Sequence, residues 1–483
     1  MRPYYEPLTA ADRSFLAFET ASCHMHLGGT ALFDVGPLAT PEGGVDVERL
    51  RAHVGARLHL IPRYRQRLAW VPLEQRAVWV DDEHFSLAFH VRHTALPRPG
   101  DEQQLKQLAG RIMSQQLDRA RPLWELWIVE GLEGNRFALV TKTHHCIADG
   151  ISAVDLLTVL LSLDANAPPS EEPAAWVPRP APTPRELLRD VWLRRANVPL
   201  NVWAALRYVA RRPDRAWARV VEGATATART IGAGLPLPSE TPLNRPIGPH
   251  RRLEWLALDL AEVKEVKNRL GGTVNDVVLA TVTGAIRRFL RRRRVEVERL
   301  NFRVVVPVSV RTVDQRGTVN NRASGWLMSL PIDEEHPYAR LLRVQEATLA
   351  LKQSRQERGP AVLGEAAEMV GGAFLTLGVR LVSRLSPFNL IVTNIPGPPT
   401  PLYLLGAKLL AGYPLVPLFE NQGLAIALFS YAGRLFWGLN ADWDLVPDVH
   451  DVARAIEASF AELRDAAART VYGVARPAER ATR

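Results

Sequence analysis

The sequence predicts an α/β protein of two halves joined by a helical, proline-flanked connection, and three observations carry that reading. Bulky apolar runs of strand character alternate with helix-like segments on both sides of the chain's middle. Two proline-dense stretches punctuate that middle, seven prolines between Pro168 and Pro184 and five between Pro236 and Pro249. The length of 483 residues exceeds one ordinary domain at roughly 150 residues each. Hydrophobic residues at 47% and charged ones at 23% exclude disordered, collagen-like and coiled-coil classes.

Taken in order, Trp124 to Val129 and Arg136 to Thr143 read as strands, and Ser152 to Leu163 as a helix. Between the proline stretches, Arg185 to Arg219 carries nine arginines interleaved with Trp192, Trp203, Tyr208 and Trp217. It reads as a basic, aromatic helical bridge, either lying on anionic lipid or packed on its own protein. Ala261 to Leu270 and Val274 to Arg294 read as helices around Gly271-Gly272-Thr273, and Phe302 to Val310 as a strand. The arginines at 287, 288 and 291 to 294 fall at a helix C-terminus, where positive charge complements the macrodipole, and a solvated helix end is expected. The boundaries are then 1–167 for the first half, 168–249 for the linker and 250–483 for the second, with a site expected in the cleft between the halves.

Sixty basic against 51 acidic residues give a net charge of +9. That balance suits anionic lipid, nucleic acid or a phosphorylated substrate. Only Lys106, Lys142, Lys264, Lys267, Lys352 and Lys408 are lysines, so an arginine-rich composition explains part of the excess. No zinc-finger, helix-turn-helix or RNA-recognition signature accompanies the charge, so no nucleic-acid partner is expected. Two cysteines, Cys23 and Cys146, cannot staple a chain of this length, which points to a reducing compartment. The opening MRPYYEPLTAADRSF has no apolar signal core, and the longest uncharged stretch, Leu385 to Ala407, contains five prolines and cannot span a membrane as one helix.

P-loop and dinucleotide fingerprints are missing, and Gly150-Ile151-Ser152-Ala153-Val154 lacks the closing glycine of a serine-hydrolase elbow. The positive signal is His144-His145-Cys146-Ile147-Ala148-Asp149-Gly150, at the end of the apolar strand FALVTKT. Neighbouring side chains at a strand end point to opposite faces, so one imidazole should face the core and the other a cavity. A neutral imidazole there can accept a proton from an alcohol, thiol or amine. Asp149 can accept helix amides or lock the turn against an arginine. No metal is expected, since adjacent side chains rarely converge on one ion and no C-x-x-C or H-E-x-x-H companion is present.

Further blocks carry a resemblance. Leu8-Thr9-Ala10-Ala11-Asp12, Met25-His26-Leu27-Gly28-Gly29, Pro122-Leu123-Trp124, Pro246-Ile247-Gly248-Pro249, Asn275-Asp276-Val277-Val278-Leu279-Ala280, Val306-Pro307-Val308-Ser309-Val310-Arg311 and Asn394-Ile395-Pro396-Gly397-Pro398 accompany the histidine motif. Over nearly its whole length the chain resembles the bacterial wax ester synthase/diacylglycerol acyltransferase family, within the H-H-x-x-x-D-G acyltransferase superfamily. Asn320-Asn321-Arg322 stands where that family usually has Gly-Asn-Arg, and Thr393 where it has Ser.

The resemblance implies two chloramphenicol-acetyltransferase-like subdomains, each a mixed sheet packed with helices, with an active-site tunnel at their interface. It implies transfer of a long-chain acyl group from acyl-coenzyme A, as substrate and with no cofactor, to diacylglycerol or a fatty alcohol without an acyl-enzyme. His145 would be the general base, His144 a supporting residue, and Asp149 the holder of the turn, with Arg311 as its candidate partner. Asn275 would support the oxyanion, or else cap a helix. Trp124, Gly150, Thr393 and Asn394 would bind substrate, although Trp124 also fits a core position. A cytoplasmic protein attached peripherally to the inner membrane face or to lipid bodies is expected. Two other readings remain: an acyltransferase of the same fold acting on a specialised metabolite, and a non-catalytic lipid-body protein.

Overall fold

The computed structural model describes residues 4–72, 76–147, 157, 159–168, 176–189, 192–193, 237–309, 323–353 and 387–470. Its strands are β1 (Glu6–Pro7), β2 (His26–Asp34), β3 (Gln66–Val71), β4 (Arg76–Asp81), β5 (Val91–Ala95), β6 (Trp124–Leu132), β7 (Arg136–His144), β8 (Arg251–Asp259), β9 (Phe302–Ser309), β10 (Ala323–Leu330), β11 (Leu390–Pro396), β12 (Tyr403–Leu404), β13 (Ala407–Leu415), β14 (Leu424–Tyr431) and β15 (Arg434–Asp442). The principal helices are α1 (Ala10–Phe18), α2 (Val47–Arg57), α3 (Glu102–Ser114), α4 (Leu260–Leu270), α5 (Val274–Arg292), α6 (Pro337–Gln353) and α7 (Val449–Thr470).

Two six-stranded mixed sheets dominate, in the orders β12-β13-β2-β7-β6-β5 and β10-β9-β11-β14-β15-β8. In the first, β7 is buried along almost its whole length because β2 and β6 flank it, and its residues Phe137 to Val140 join the core. β13, next to the short edge strand β12, alternates buried and exposed positions through Ala407, Lys408, Leu409 and Leu410, as a strand with one covered face must. β12 and β13 come from the chain's last quarter yet pair with β2 of the first half. A division at 167 and 249 therefore does not describe this crossover. A separate three-stranded sheet, β1-β4-β3, lies in the first half.

The second sheet packs on α5, α6 and α7 around a second apolar core. α5 starts with a capping box in which the Thr273 side chain accepts from the Asp276 amide while Asp276 accepts from the Thr273 amide. α4 ends at Gly271, and both Gly271 and Gly272 adopt left-handed φ values of 87° and 86°, so the glycine pair separates the helices as the sequence predicts. The arginine run at the end of α5 departs from expectation. Arg287 is buried and donates to the Ile332 and Asp333 carbonyls at 2.9 Å, while Arg288, Arg292 and Arg293 pair with Glu462, Asp451 and Asp448. The run ties α5 to the loop before α6 and to α7 instead of meeting solvent alone.

Two seams join the halves. α3 lies on β8, where Gly110 permits the approach: a Cβ there would sit 2.9 Å from the Arg251 carbonyl oxygen. Lys106 pairs with Glu254, and the Trp255 indole donates to Glu102 at 3.2 Å. At the other seam β13 passes over β15, where a Cβ on Gly438 would sit 1.8 Å from the Pro414 carbonyl oxygen. The start of the linker is held by the first half: Leu187 is buried against Val71, Val78 and Val80, and Arg179 donates to both Asp81 oxygens at 2.9 and 2.8 Å. Beyond it, Trp192 and Leu193 are 73% and 54% exposed. The rest of the basic bridge, and half of the helix expected over Ser152 to Leu163, lie outside the described residues. Among the described residues no helix is long and apolar enough to cross a membrane.

Candidate active site

The backbone of each histidine is fixed by a different sequence block. The His144 amide donates to the Leu123 carbonyl and the His145 amide to the Met25 carbonyl, both at 2.9 Å. Pro122-Leu123-Trp124 and Met25-His26-Leu27-Gly28-Gly29 thus take one amide each. Met25 reaches its place with φ of 49°, in the left-handed region that a methionine seldom occupies. Gly28 and Gly29 have a steric cause, since their Cβ atoms would fall 2.1 Å from the Thr141 oxygen and 2.9 Å from the Tyr413 oxygen. Side chains there would push β2 away from β7 and β13.

Both rings meet α1, His144 at Glu19 and His145 at Phe15 one turn earlier, so the opposite-face arrangement expected from the strand is not what these contacts describe. The His144 side chain is 1% exposed. Its Nδ1 accepts from the Cys146 amide at 3.1 Å, with the Cys146 Sγ at 2.9 Å, which leaves Nε2 as the nitrogen that donates. Nε2 lies 3.4 Å from Oε2 of Glu19, the buried carboxylate that closes α1. Burial alone would raise the Glu19 pKa, but hydrogen bonds from His144 and Arg119 and the Arg119 charge outweigh it and hold the carboxyl below its ordinary value. Arg119 Nε donates to Glu19 at 3.0 Å, completing an Arg119–Glu19–His144 chain.

His145 is half-buried, and Phe15 of α1 stacks on its ring with centroids 3.6 Å apart and planes at 20°. Its Nδ1 is buried. Burial pushes the His145 pKa down to about 4, the neighbouring His144 adds to the drop, and the residue's own backbone carbonyl opposes it by hydrogen bonding. The ring is therefore uncharged at neutral pH. No motif in the sequence marks Phe15 or Glu19. The available signal was the Thr9-to-Asp12 spacing, which forms the capping box that starts α1 and sets the helix phase delivering both side chains to the histidines.

The other sequence candidates are distributed as follows. Asp149, Gly150 and Arg311 lie outside the described residues. Trp124 is fully buried: its indole donates to the Tyr64 carbonyl at 2.8 Å and its ring stacks on His90 at 4.6 Å, a packing role of the kind a strand-end tryptophan also fits. Asn275 is the second residue of α5, half-buried, and the cap is Thr273, so the capping alternative for Asn275 does not hold. No described contact joins Asn275 to His145. Thr393 is buried within β11, where it faces Ala427 across the ladder, while Asn394 lines a cavity of about 460 Å³. Among the described residues no group of three or more His, Cys, Asp or Glu side chains is placed to hold a metal ion.

An apolar cavity of about 370 Å³ lies between the two sheets, walled by Leu27 to Ala31, Thr141, Gly412 to Val416, Ile395 to Pro398 and Phe429. Its first walls are the strands whose ends carry the histidines. It shares Pro396, Gly397 and Pro398 with the Asn394 cavity. The loop turns tightly there, and a Cβ on Gly397 would lie 2.4 Å from both Phe429 and the Ser430 oxygen.

Comparison with known proteins identifies this arrangement. Residues 8–278 match the wax ester synthase/diacylglycerol acyltransferase catalytic domain, and residues 319–464 the C-terminal domain of the same family. The chain belongs to the wax ester synthase/diacylglycerol acyltransferase family. A Mycobacterium tuberculosis protein named as a probable diacylglycerol O-acyltransferase is 34% identical over 460 residues, covering 94% of this chain and 95% of the relative. The solved wax ester synthase/diacylglycerol acyltransferase from Marinobacter aquaeolei VT8 superposes with a TM-score of 0.68 at 27% identity, covering 96% of this chain and all of that one. The starter condensation domain of rhizomide synthetase shares the fold, with a TM-score of 0.56 at 12% identity and coverage of 96% and 94%. The family, the acyltransferase class and the fold expected from the sequence blocks are those found.

Proposed function

We propose that this wax ester synthase/diacylglycerol acyltransferase family member moves a long-chain acyl group from acyl-coenzyme A to diacylglycerol or a fatty alcohol, with His145 as general base. The observation that carries the reading is a neutral, half-open imidazole at the end of the two strands that also wall an apolar cavity. The acceptor hydroxyl oxygen attacks the thioester carbonyl as the ring takes its proton. Collapse of the tetrahedral adduct breaks the carbon–sulfur bond, and the departing thiolate recovers the proton from the imidazolium. A ring that is a weak base stays in its accepting form at neutral pH, and proton transfer is then coupled to carbon–oxygen bond formation. Holding both substrates in one dry passage supplies the larger part of the acceleration. His144 keeps the strand end in place through Glu19.

The test is transfer from labelled palmitoyl-coenzyme A to competing diacylglycerol, hexadecanol and an amine panel. Ester products from the first two are expected. Exclusive labelling of an amine or another polar acceptor would favour a specialised-metabolite enzyme, and no transfer at all would favour a non-catalytic lipid-body protein. The apolar substrates call for contact with a lipid surface, and the exposed Trp192 and Leu193 within the arginine-rich bridge support one. Flotation with anionic vesicles should fall on Trp192→Ala/Leu193→Ala, and unchanged recovery would reject this attachment.

A further inference from the structure

The series of cavities continues beyond the site. Lys264 and Lys267 lie three residues apart on α4, Lys264 exposed and Lys267 half-buried. With Asn268, Gly272, Thr273 and Val274 they line a surface cavity of about 360 Å³. Lys264 and Val274 also line the Asn394 cavity, which in turn shares Pro396 to Pro398 with the apolar cavity between the sheets. A basic surface cavity, the Asn394 cavity and an apolar interior thus lie side by side, each sharing wall residues with the next.

The charges at that surface cavity differ from the paired cations of the neighbouring elements. Lys106 and Lys142 pair with Glu254 and Glu125, and around α4 Arg269 pairs with Glu265 and Arg464 with Glu262. Neither Lys264 nor Lys267 has an acidic partner among the described residues. Asp276, whose carboxylate lies beside Gly272 of the lining, is buried and already engaged: Oδ2 accepts from the Thr273 amide and hydroxyl at 2.8 Å, and Oδ1 from the Thr348 hydroxyl at 2.8 Å. Two ammonium groups one helical turn apart without internal counter-ions form a site for an external anion, and lysine binds phosphate as a mobile point charge.

We propose that Lys264 and Lys267 hold the phosphate groups of the acyl donor at the mouth of this passage, with the donor's thioester arm running inward past Asn394 toward the apolar cavity. This rests on the acyl-transfer reading above and names the end of the molecule from which the donor enters. The same two charges would also suit the phosphate of a lipid headgroup, and the experiment separates the two sources.

The test compares palmitoyl-coenzyme A with S-palmitoyl-N-acetylcysteamine, which carries the same thioester and no phosphate, in wild-type protein and Lys264→Gln/Lys267→Gln. The preference for the coenzyme A donor, as a ratio of kcat/KM values, should fall by about tenfold, chiefly through KM, on loss of these charge-assisted contacts. Calorimetric binding of adenosine 3′,5′-bisphosphate should weaken in parallel. An unchanged donor ratio overturns the proposal, and if it is accompanied by reduced flotation on phosphatidylglycerol vesicles, the lysines serve the lipid surface instead. If the wild-type protein transfers acyl groups to no acceptor, the acyl-transfer reading fails, and the bisphosphate titration, which needs no turnover, decides this site: equal affinities in both proteins overturn it.

Discussion

The two large sheets have equal numbers of strands but unequal independence. The sheet β10-β9-β11-β14-β15-β8 draws every strand from residues 251–442. The sheet that carries the histidines takes β2, β5, β6 and β7 from the first half and completes itself with β12 and β13, residues 403–415. The difference teaches that the site is a product of both halves even though the two histidines lie on one strand end. The wall of the apolar cavity formed by Gly412 to Val416 arrives from the far end of the chain, and the same strand rests on Gly438 of the other sheet.

The largest expected effect separates the histidine from its scaffold. His145→Ala should lower turnover by about 10² to 10⁴ while leaving the melting temperature near that of the wild type. In the wild type, protonation of the ring removes the base, so kcat/KM should hold as pH falls past 6 and decline only through about 4, where the half-buried ring titrates. A midpoint at the ordinary histidine value would remove the burial argument. Next comes the contact between sheets: Gly438→Val forces side-chain atoms onto the Pro414 carbonyl and should cost about 1–3 kcal/mol in chemical denaturation, with activity falling alongside. Denaturation indistinguishable from wild type would mean that β13 does not bear on β15. The smallest effect is expected at the buried carboxylate. Glu19→Gln keeps the shape and removes the charge facing Arg119 and His144, and should cost about 1 kcal/mol of stability with a milder rate loss than His145→Ala. A rate loss matching that of His145→Ala would make Glu19 part of the chemistry rather than of its support.

Local features were legible in the sequence. α5 begins at Val274 after the glycine pair, β7 ends at the histidine motif, and β9 follows its valine run, because each is set by neighbours in the chain. Partners distant in sequence were not. Nothing in the alternating pattern of Ala407 to Leu415 states that it pairs with Gly28 to Phe33, since one covered face can be offered to any sheet edge. The arginines of α5 read as a solvated helix end because their acidic partners lie on α7 and in the loop before α6. At the site, the motif disclosed His144 and His145, but Phe15 and Glu19 sit more than a hundred residues earlier and act through the phase of α1.

The late arrival of β13 orders events during synthesis. Until residue 415 has left the ribosome, β2 is the outermost strand of its sheet, with the Gly28 and Gly29 backbone open along one edge. A nascent chain can fold β2, β5, β6 and β7 together and still lack one side of the passage. Translation itself thereby delays competence until most of the polypeptide is made, and a truncated product ending before residue 403 would present a sticky edge rather than a working enzyme.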